Sequence, residues 1–469
     1  MKRRLPNLIK NPYFIISLLG IFLFSLFILH SFSTNNLILP SVQSISVFCF
    51  SVVFLFLAYI LLKKSGESKK IFAIIFLVTL LFEIIIFISM PLNTDKWVDV
   101  RGYYNLALFT KEKDPLYLVQ NYHRLASWNQ SFCPDAKIRL EKLVENKMVL
   151  EYIKNKLQID NPLDLSEYNF YHYSPDRAGM HPLGWILILY FFIALFGSYE
   201  IVAIMAEFIL AAFLVTVVYW FLRKNTNFNN ALTLTFLFIL TPAFIIYSVS
   251  PLMDVPLAIF IILTLQFYSE YMQKHKKIYL FLSSLLFSVA MLIKFVSFFF
   301  FLPILIITII KRNNIKNFLF FAIISILPLT LLSIFNYYYF LNLLSSFIFT
   351  SCSQVGPNWL YFLSHFPKEI VALFSLPILY MISVGTIKIL FKKKKTEKEK
   401  IMLLYIISFL IFSFFIGQAI SRLIFMFSPI LLFVATNQLK SFKIRFVCFC
   451  FIISSIQLLI LMILNILNV

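Results

Sequence analysis

The chain has 469 residues, of which 61% are hydrophobic, 18% aromatic and only 13% charged, with a formal net charge of +20. Soluble domains carry about a quarter charged residues, so this composition excludes a water-soluble globular protein. Nine glycines and long unbroken apolar runs exclude a porin-like barrel, whose short strands alternate and turn often.

The N-terminus, MKRRLPNLIKNPYFIISLL, is basic and then apolar, with no convincing small-residue cleavage site, and reads as a retained first span. Further spans are expected near 42–62, 71–91, 200–222, 230–250, 255–272, 278–293, 296–310, 317–340, 368–391, 401–417, 423–437 and 446–466, the first lying near 13–31. Between them lie basic clusters: KKSGESKK (63–70), RKNTN (223–227), QKHKK (273–277), KRNNIK (311–316), KKKKTEKEK (392–400) and LKSFKIR (439–445). With the N-terminus inside, every cluster falls on the cytoplasmic side, where positive charge sets topology rather than binding nucleic acid. HPLGWILILYFFIALFG (181–197) is also apolar, but counting it as a span would put five of the clusters outside. It therefore reads as an amphipathic or re-entrant helix on the outer surface, tolerated where protein buries it.

The fold class expected is an all-α integral membrane protein: a polytopic helical bundle of about 13 transmembrane helices, with a large extracytoplasmic first loop carrying surface helices. Residues 1–91 form the N-terminal transmembrane helices and 92–199 the large outer loop, with its helix near 181–197. A central bundle (200–336), a second outer loop (337–367) and C-terminal transmembrane helices (368–469) complete the chain. The cytoplasmic face has only short connectors, so any chemistry belongs outside. There is no GxxxxGK[ST] or glycine-rich βαβ fingerprint, and no visible internal repeat. Cys49, Cys448 and Cys450 fall in apolar runs, whereas Cys133 and Cys352 fall in outer loops and could pair there.

Charge at a membrane boundary is costly and is usually paired or functional. DKWVDVRGYYN (95–105) places two carboxylates, a cation and paired tyrosines at a membrane exit. Asp95, Asp99 and Tyr103 share a helical face, and a carboxylate held there can take a proton from a hydroxyl. An interfacial cap with Arg101 as ion partner and Tyr103 and Tyr104 as an aromatic belt is the plainer alternative. Asp254, in SVSPLMDVPLA, lies at a stiff outer turn, where it could equally cap the next span. Lys294, in MLIKFVSFFFFLP, and Arg422, in GQAISRLIFMFSP, are isolated outer cations that either snorkel or grip a phosphate. His181 lacks an HxxxH or HxxE partner, so a loop-shaping role is favoured over a metal.

The order of these motifs resembles the GT-C superfamily of membrane glycosyltransferases, of the protein-mannosyltransferase-like kind, over about residues 71–437. DVRGYYNLALFTKEKDPLYL is similar to the acidic, aromatic start of that superfamily's first outer loop. MHPLGWILILYFFIALFG resembles its surface helix, with Leu183 where a second proline is usual. SPLMDVPLA, MLIKFVSFFFFLP and SRLIFMFSP follow in order, the last with Leu423 in place of a tyrosine. The resemblance implies a polyprenyl- or dolichyl-phosphate-sugar donor and an active site on the extracytoplasmic face.

On that basis the expected function is inverting transfer of a mannose-like hexose from a polyprenyl phosphate to an acceptor hydroxyl. Asp99 is the base, with Asp95 its substitute and Asp254 an orienting carboxylate. Lys294, Arg422 and Arg101 would bind the leaving phosphate, and Tyr103, Tyr104 and His181 would shape the loop. No cofactor or metal is demanded, since cations can neutralise a monophosphate. The partners are the lipid-linked sugar, membrane lipid and a glycan, lipid or protein acceptor, in the cell membrane (or the endoplasmic reticulum membrane of a eukaryote). A lipid-linked glycan flippase or other transporter, or a non-catalytic membrane subunit, is the alternative.

Overall fold

The computed structural model describes residues 40–68, 70–89, 104, 107–108, 111, 184–250, 252–294, 297, 315–335, 370–371, 373–396, 399–400, 403–408, 410, 420–436 and 444–463. Most of these residues are helical, with no strand among them. In chain order the helices are α1 (Pro40–Ser65), α2 (Ile71–Ser89), α3 (Gly184–Phe196), α4 (Glu200–Asn225), α5 (Phe228–Ile239), α6 (Pro242–Ser248), α7 (Asp254–Lys274), α8 (Lys277–Ile293), α9 (Ile315–Phe335), α10 (Leu376–Phe391), α11 (Ile420–Thr436) and α12 (Ile444–Ile463). Their bounds follow the apolar runs closely. The expected span near 13–31, nearly all of 296–310, most of 401–417, the loop 337–367 and most of the loop 92–199 lie outside the described residues.

Ile201–Asn225 and Asp254–Lys274 are each long and apolar enough to cross a membrane. They belong to a helical membrane protein, and the other apolar helices pack around them. One expectation changes. The run at 230–250 is not a single straight span but two helices, α5 and α6, bent by 63°. The cause is local. Thr241 accepts from the Phe244 amide as an N-cap, and Pro242, which has no amide hydrogen to donate, starts α6.

α4 is the central element, packed against α2, α3, α5, α7 and α11. Ring contacts fix its direction. Phe72 meets Tyr219 and Phe87 meets Phe208, so α2 and α4 run antiparallel. Trp220 meets Phe267 and Asn225 donates to Gln266, so α4 and α7 run parallel. α11 is parallel to both, since Phe221 meets Phe433. One end of the bundle consequently gathers the basic residues that close α1, α4, α7 and α10: Lys63, Lys64, Arg223, Lys224, Lys274 and Lys388. Cations in a last turn also suit the negative end of the helix dipole.

At that basic end Arg223 grips Glu67 with two hydrogen bonds, of 2.9 and 2.7 Å. The guanidinium holds the Glu67 carboxyl below its ordinary value of 4.5. A lowered carboxylate contributes stability above that value and loses it as the pH falls through the folded one. The pair is solvent-exposed, so Glu67→Gln is expected to cost under about 1 kcal/mol. Gly385 is the sterner constraint. A Cβ there would lie 2.5 Å from the Val434 carbonyl oxygen, so α10 and α11 touch backbone to backbone. Gly385→Ala is expected to cost about 1–3 kcal/mol, and thermal unfolding in detergent should rank it well above Glu67→Gln.

Candidate functional site

The end opposite the basic one is built by an antiparallel hairpin. α7 and α8 are joined at His275 and Lys276, with His275 in the left-handed region (φ 54°) as the cap. Two antiparallel helices with so short a turn bring the start of the first beside the end of the second. Asp254 opens α7, and Lys294 is the first residue after α8, in extended backbone. The α8 helix stops there, which frees the lysine to turn toward α7. Its Nζ donates to Asp254 Oδ1 at 3.0 Å. Arg422, in the first turn of α11, brings its Nε to 3.8 Å from Asp254 Oδ2.

The carboxylate is fully buried, while the lysine and arginine side chains are 11% and 23% exposed. A buried charge must be paired and hydrogen-bonded to be tolerated. Asp254 is therefore not a helix cap: Met253 holds the cap position, and the carboxylate is spent on Lys294. Nor does Lys294 snorkel; it turns inward. Among the described residues, two cations face this one anion. They sit by the first turns of α7 and α11, where the helix dipoles add positive potential. A cation in the first turn of α11 is unfavourable by itself, and Asp254 is its compensation. The arrangement suits an anion such as a phosphate, which Lys294 and Arg422 can approach from their exposed sides.

Two clasps hold this end together. Gly184 opens α3 so close to α8 that a Cβ would lie 2.6 Å from the Leu292 carbonyl oxygen. The start of α3 thus abuts the backbone just before Lys294. α3 buries Trp185, Ile186, Leu189 and Ile193 and exposes Leu187, Phe191, Leu195 and Phe196. At its other end Gly197 turns the chain with φ 101°, and Ser198 receives two donors. Tyr104 donates its hydroxyl to the Ser198 carbonyl at 2.9 Å, and Lys111 Nζ to Ser198 Oγ at 2.8 Å. Tyr104 is buried, so its role here, with Lys111, is to anchor to the α3–α4 turn.

Of the residues singled out from sequence, the structure brings Asp254, Lys294 and Arg422 together and gives Tyr104 an anchoring contact. Asp95, Asp99, Arg101, Tyr103 and His181 lie outside the described residues, as do Cys133 and Cys352. No group of three His, Cys, Asp or Glu suited to a metal occurs among the described residues. Sequence reasoning passed over two buried acids, Glu83 on α2 and Glu207 on α4. Their signal was a lone carboxyl inside an otherwise apolar run.

Residues 180–338 match the family described as dolichyl-phosphate-mannose-protein mannosyltransferase. The match takes in α3 to α9, with Asp254 and Lys294, and supports the resemblance to a GT-C-like mannosyltransferase superfamily. Arg422 and the DKWVDVRGYYN stretch lie beyond it. No curated protein matches the chain.

The triad predicts an asymmetric mutational response. Asp254→Asn removes the acid that both cations face and is expected to cost about 3–5 kcal/mol. Adding Lys294→Met should recover most of that loss, because it removes the cation that had been hydrogen-bonded to Asp254. Equal unfolding temperatures for Asp254→Asn alone and for the double variant would contradict the pairing.

Proposed function

We propose that the protein is a membrane glycosyltransferase that moves a mannose-like hexose from a polyprenyl-phosphate donor to an acceptor hydroxyl, with inversion, on the extracytoplasmic face. The observation that carries this reading is the Asp254–Lys294–Arg422 cluster, at the bundle end opposite the basic residues and largely inside the segment that matches the mannosyltransferase family. Basic residues mark the cytoplasmic side, so the cluster faces out.

In this reading the donor phosphate sits against Lys294 and Arg422. As the glycosidic bond breaks, negative charge grows on the phosphate oxygens. Cations already fixed in place stabilise that charge without reorganisation. Asp254 is a positioning residue: it holds both cations and, being fully buried, does not reach the substrate. Asp99 takes the proton of the acceptor hydroxyl as that oxygen attacks the anomeric carbon, with Asp95 the substitute. Tyr104, near both in sequence, is tied to the same end of the bundle. Arg101 adds positive charge, and Tyr103 and His181 shape the acceptor side. The chemistry calls for no metal, because the cations can neutralise a monophosphate leaving group.

The α5–α6 bend favours one competing reading, since transporters use broken helices at their binding sites. Product analysis separates the two: a transferase forms a new glycosidic bond, whereas a flippase returns the donor intact.

The test is transfer by the purified full chain, using a polyprenyl-phosphate mannose and a set of hydroxyl acceptors. Asp99→Asn should lower kcat by about 10²-fold or more, and Asp95→Asn by less. Lys294→Met and Arg422→Gln should each lower kcat by about 10²–10³-fold in protein that remains folded. Wild-type rates in Asp99→Asn and Lys294→Met would overturn the assignment.

A further inference from the structure

α3 has no part in this mechanism, although its start abuts the backbone two residues before Lys294. Its 13 residues make about 20 Å of helix, too little to cross a hydrocarbon core of about 30 Å. Nor does it run through the bundle. Gly184 meets Leu292 at the close of α8, and Gly197 leads into Glu200 at the start of α4. Both points belong to the end of the bundle that carries Asp254, so α3 lies across that end. A helix resting at an aqueous boundary is expected to show a polar face. α3 shows none: it contains no charged residue, and it exposes Leu187, Phe191, Leu195 and Phe196. Its outward face therefore suits hydrocarbon.

The exposed stripe has a direction. Leu187, Phe191 and Leu195 follow at i, i+4 and i+8, along one side of the helix. Leu187 lies within a turn of Gly184, and Leu195 lies near the other end. The stripe thus begins beside the segment that carries Lys294 and leads away from it. The helices that build the cluster offer no such surface near it. Residues 254–259 of α7 and 424–436 of α11 are buried, and α8 exposes no side chain beyond Leu285. α9 exposes apolar side chains too, but its hydrogen bond to α8 falls at Ser284, well short of Lys294. Among the described residues, α3 is the helix that joins an exposed apolar stripe to the cluster.

A lipid phosphate held at Lys294 and Arg422 must send its chain into the hydrocarbon beside them. We propose that the isoprenoid tail of the donor leaves along Leu187, Phe191 and Leu195, so that α3 is the track for the first isoprene units after the phosphate. The proposal rests on the phosphate-site reading and adds the part of the donor which that reading leaves unplaced. Hydrocarbon is as apolar as these side chains, so removal from water gives the track no advantage over bulk lipid. Its contribution is packing against fixed rings. Phe191 meets Phe192 edge-on at 6.0 Å, and Phe192 stacks on Phe196 at 6.2 Å, which holds the aromatic side chains in place. The track orders the chain next to the phosphate more than it adds affinity.

The experiment uses the full chain in nanodiscs and a polyprenyl-phosphate mannose with a photoreactive diazirine on its second isoprene unit. After illumination, mass spectrometry should find the label on peptides covering residues 184–197. Excess donor without the diazirine should suppress that label, whereas the same amount of polyprenol, which lacks the phosphate, should not. Label on 184–197 that excess donor fails to suppress is ordinary lipid contact and overturns the track. Suppressible label on α9 or another helix, lost in Lys294→Met, overturns the track and leaves the phosphate site standing. Suppressible label that Lys294→Met does not change, or none at any residue, overturns the phosphate site and the track with it. Kinetics add a second readout. Phe191→Ala combined with Leu195→Ala, both at exposed positions, should raise the ratio of KM for a long-chain donor to KM for a donor of one isoprene unit by about threefold or more. An unchanged ratio overturns the track.

Discussion

Everything at the end of this bundle opposite the basic residues depends on one buried carboxylate. Asp254 sits in the interior with no exposed surface, and the rest of the site follows from satisfying it. Lys294 must leave its helix and turn inward to reach one oxygen, and Arg422 must accept an unfavourable place at a helix start to approach the other. Each arrangement is costly alone and stable together. The three residues come from well-separated stretches of chain, so the cluster also fixes how α7, α8 and α11 meet. Two cations held at two helix starts are the product, and they are what a phosphate would be drawn to.

The scaffold explains why the cluster can be so exact in a chain with few polar residues. α4 sets the directions of α2, α7 and α11 through aromatic contacts, which sort basic residues to one end and the Asp254 cluster to the other. Backbone-to-backbone contact at Gly184 presses the start of α3 against the segment just before Lys294, and the Ser198 clasp ties residues 104 and 111 to the other end of that helix.

Much of this was legible in the sequence for a physical reason. In an apolar chain each isolated charge is costly, so Asp254, Lys294 and Arg422 stood out against their surroundings, and the helix bounds followed from run lengths. What the sequence could not show was pairing. Asp254 read equally well as a cap, and Lys294 as a snorkelling side chain, until the hairpin placed one against the other. Glu83 and Glu207 were missed because attention went to the boundaries of the runs, whereas these acids lie inside them. The α5–α6 bend has a local cause in Thr241-Pro242, but proline is tolerated inside α9 and α11, so the dipeptide alone did not decide it.

The central claim is that Lys294 and Arg422 hold the phosphate of a lipid-linked sugar. An experimental structure of the full chain with a non-transferable polyprenyl-phosphate sugar analogue tests it most directly. The account predicts the phosphate within hydrogen-bonding reach of both side chains, with Asp254 still bonded to Lys294 behind them. A phosphate seated at the basic end of the bundle, or at the outer end without contact to either cation, would contradict it.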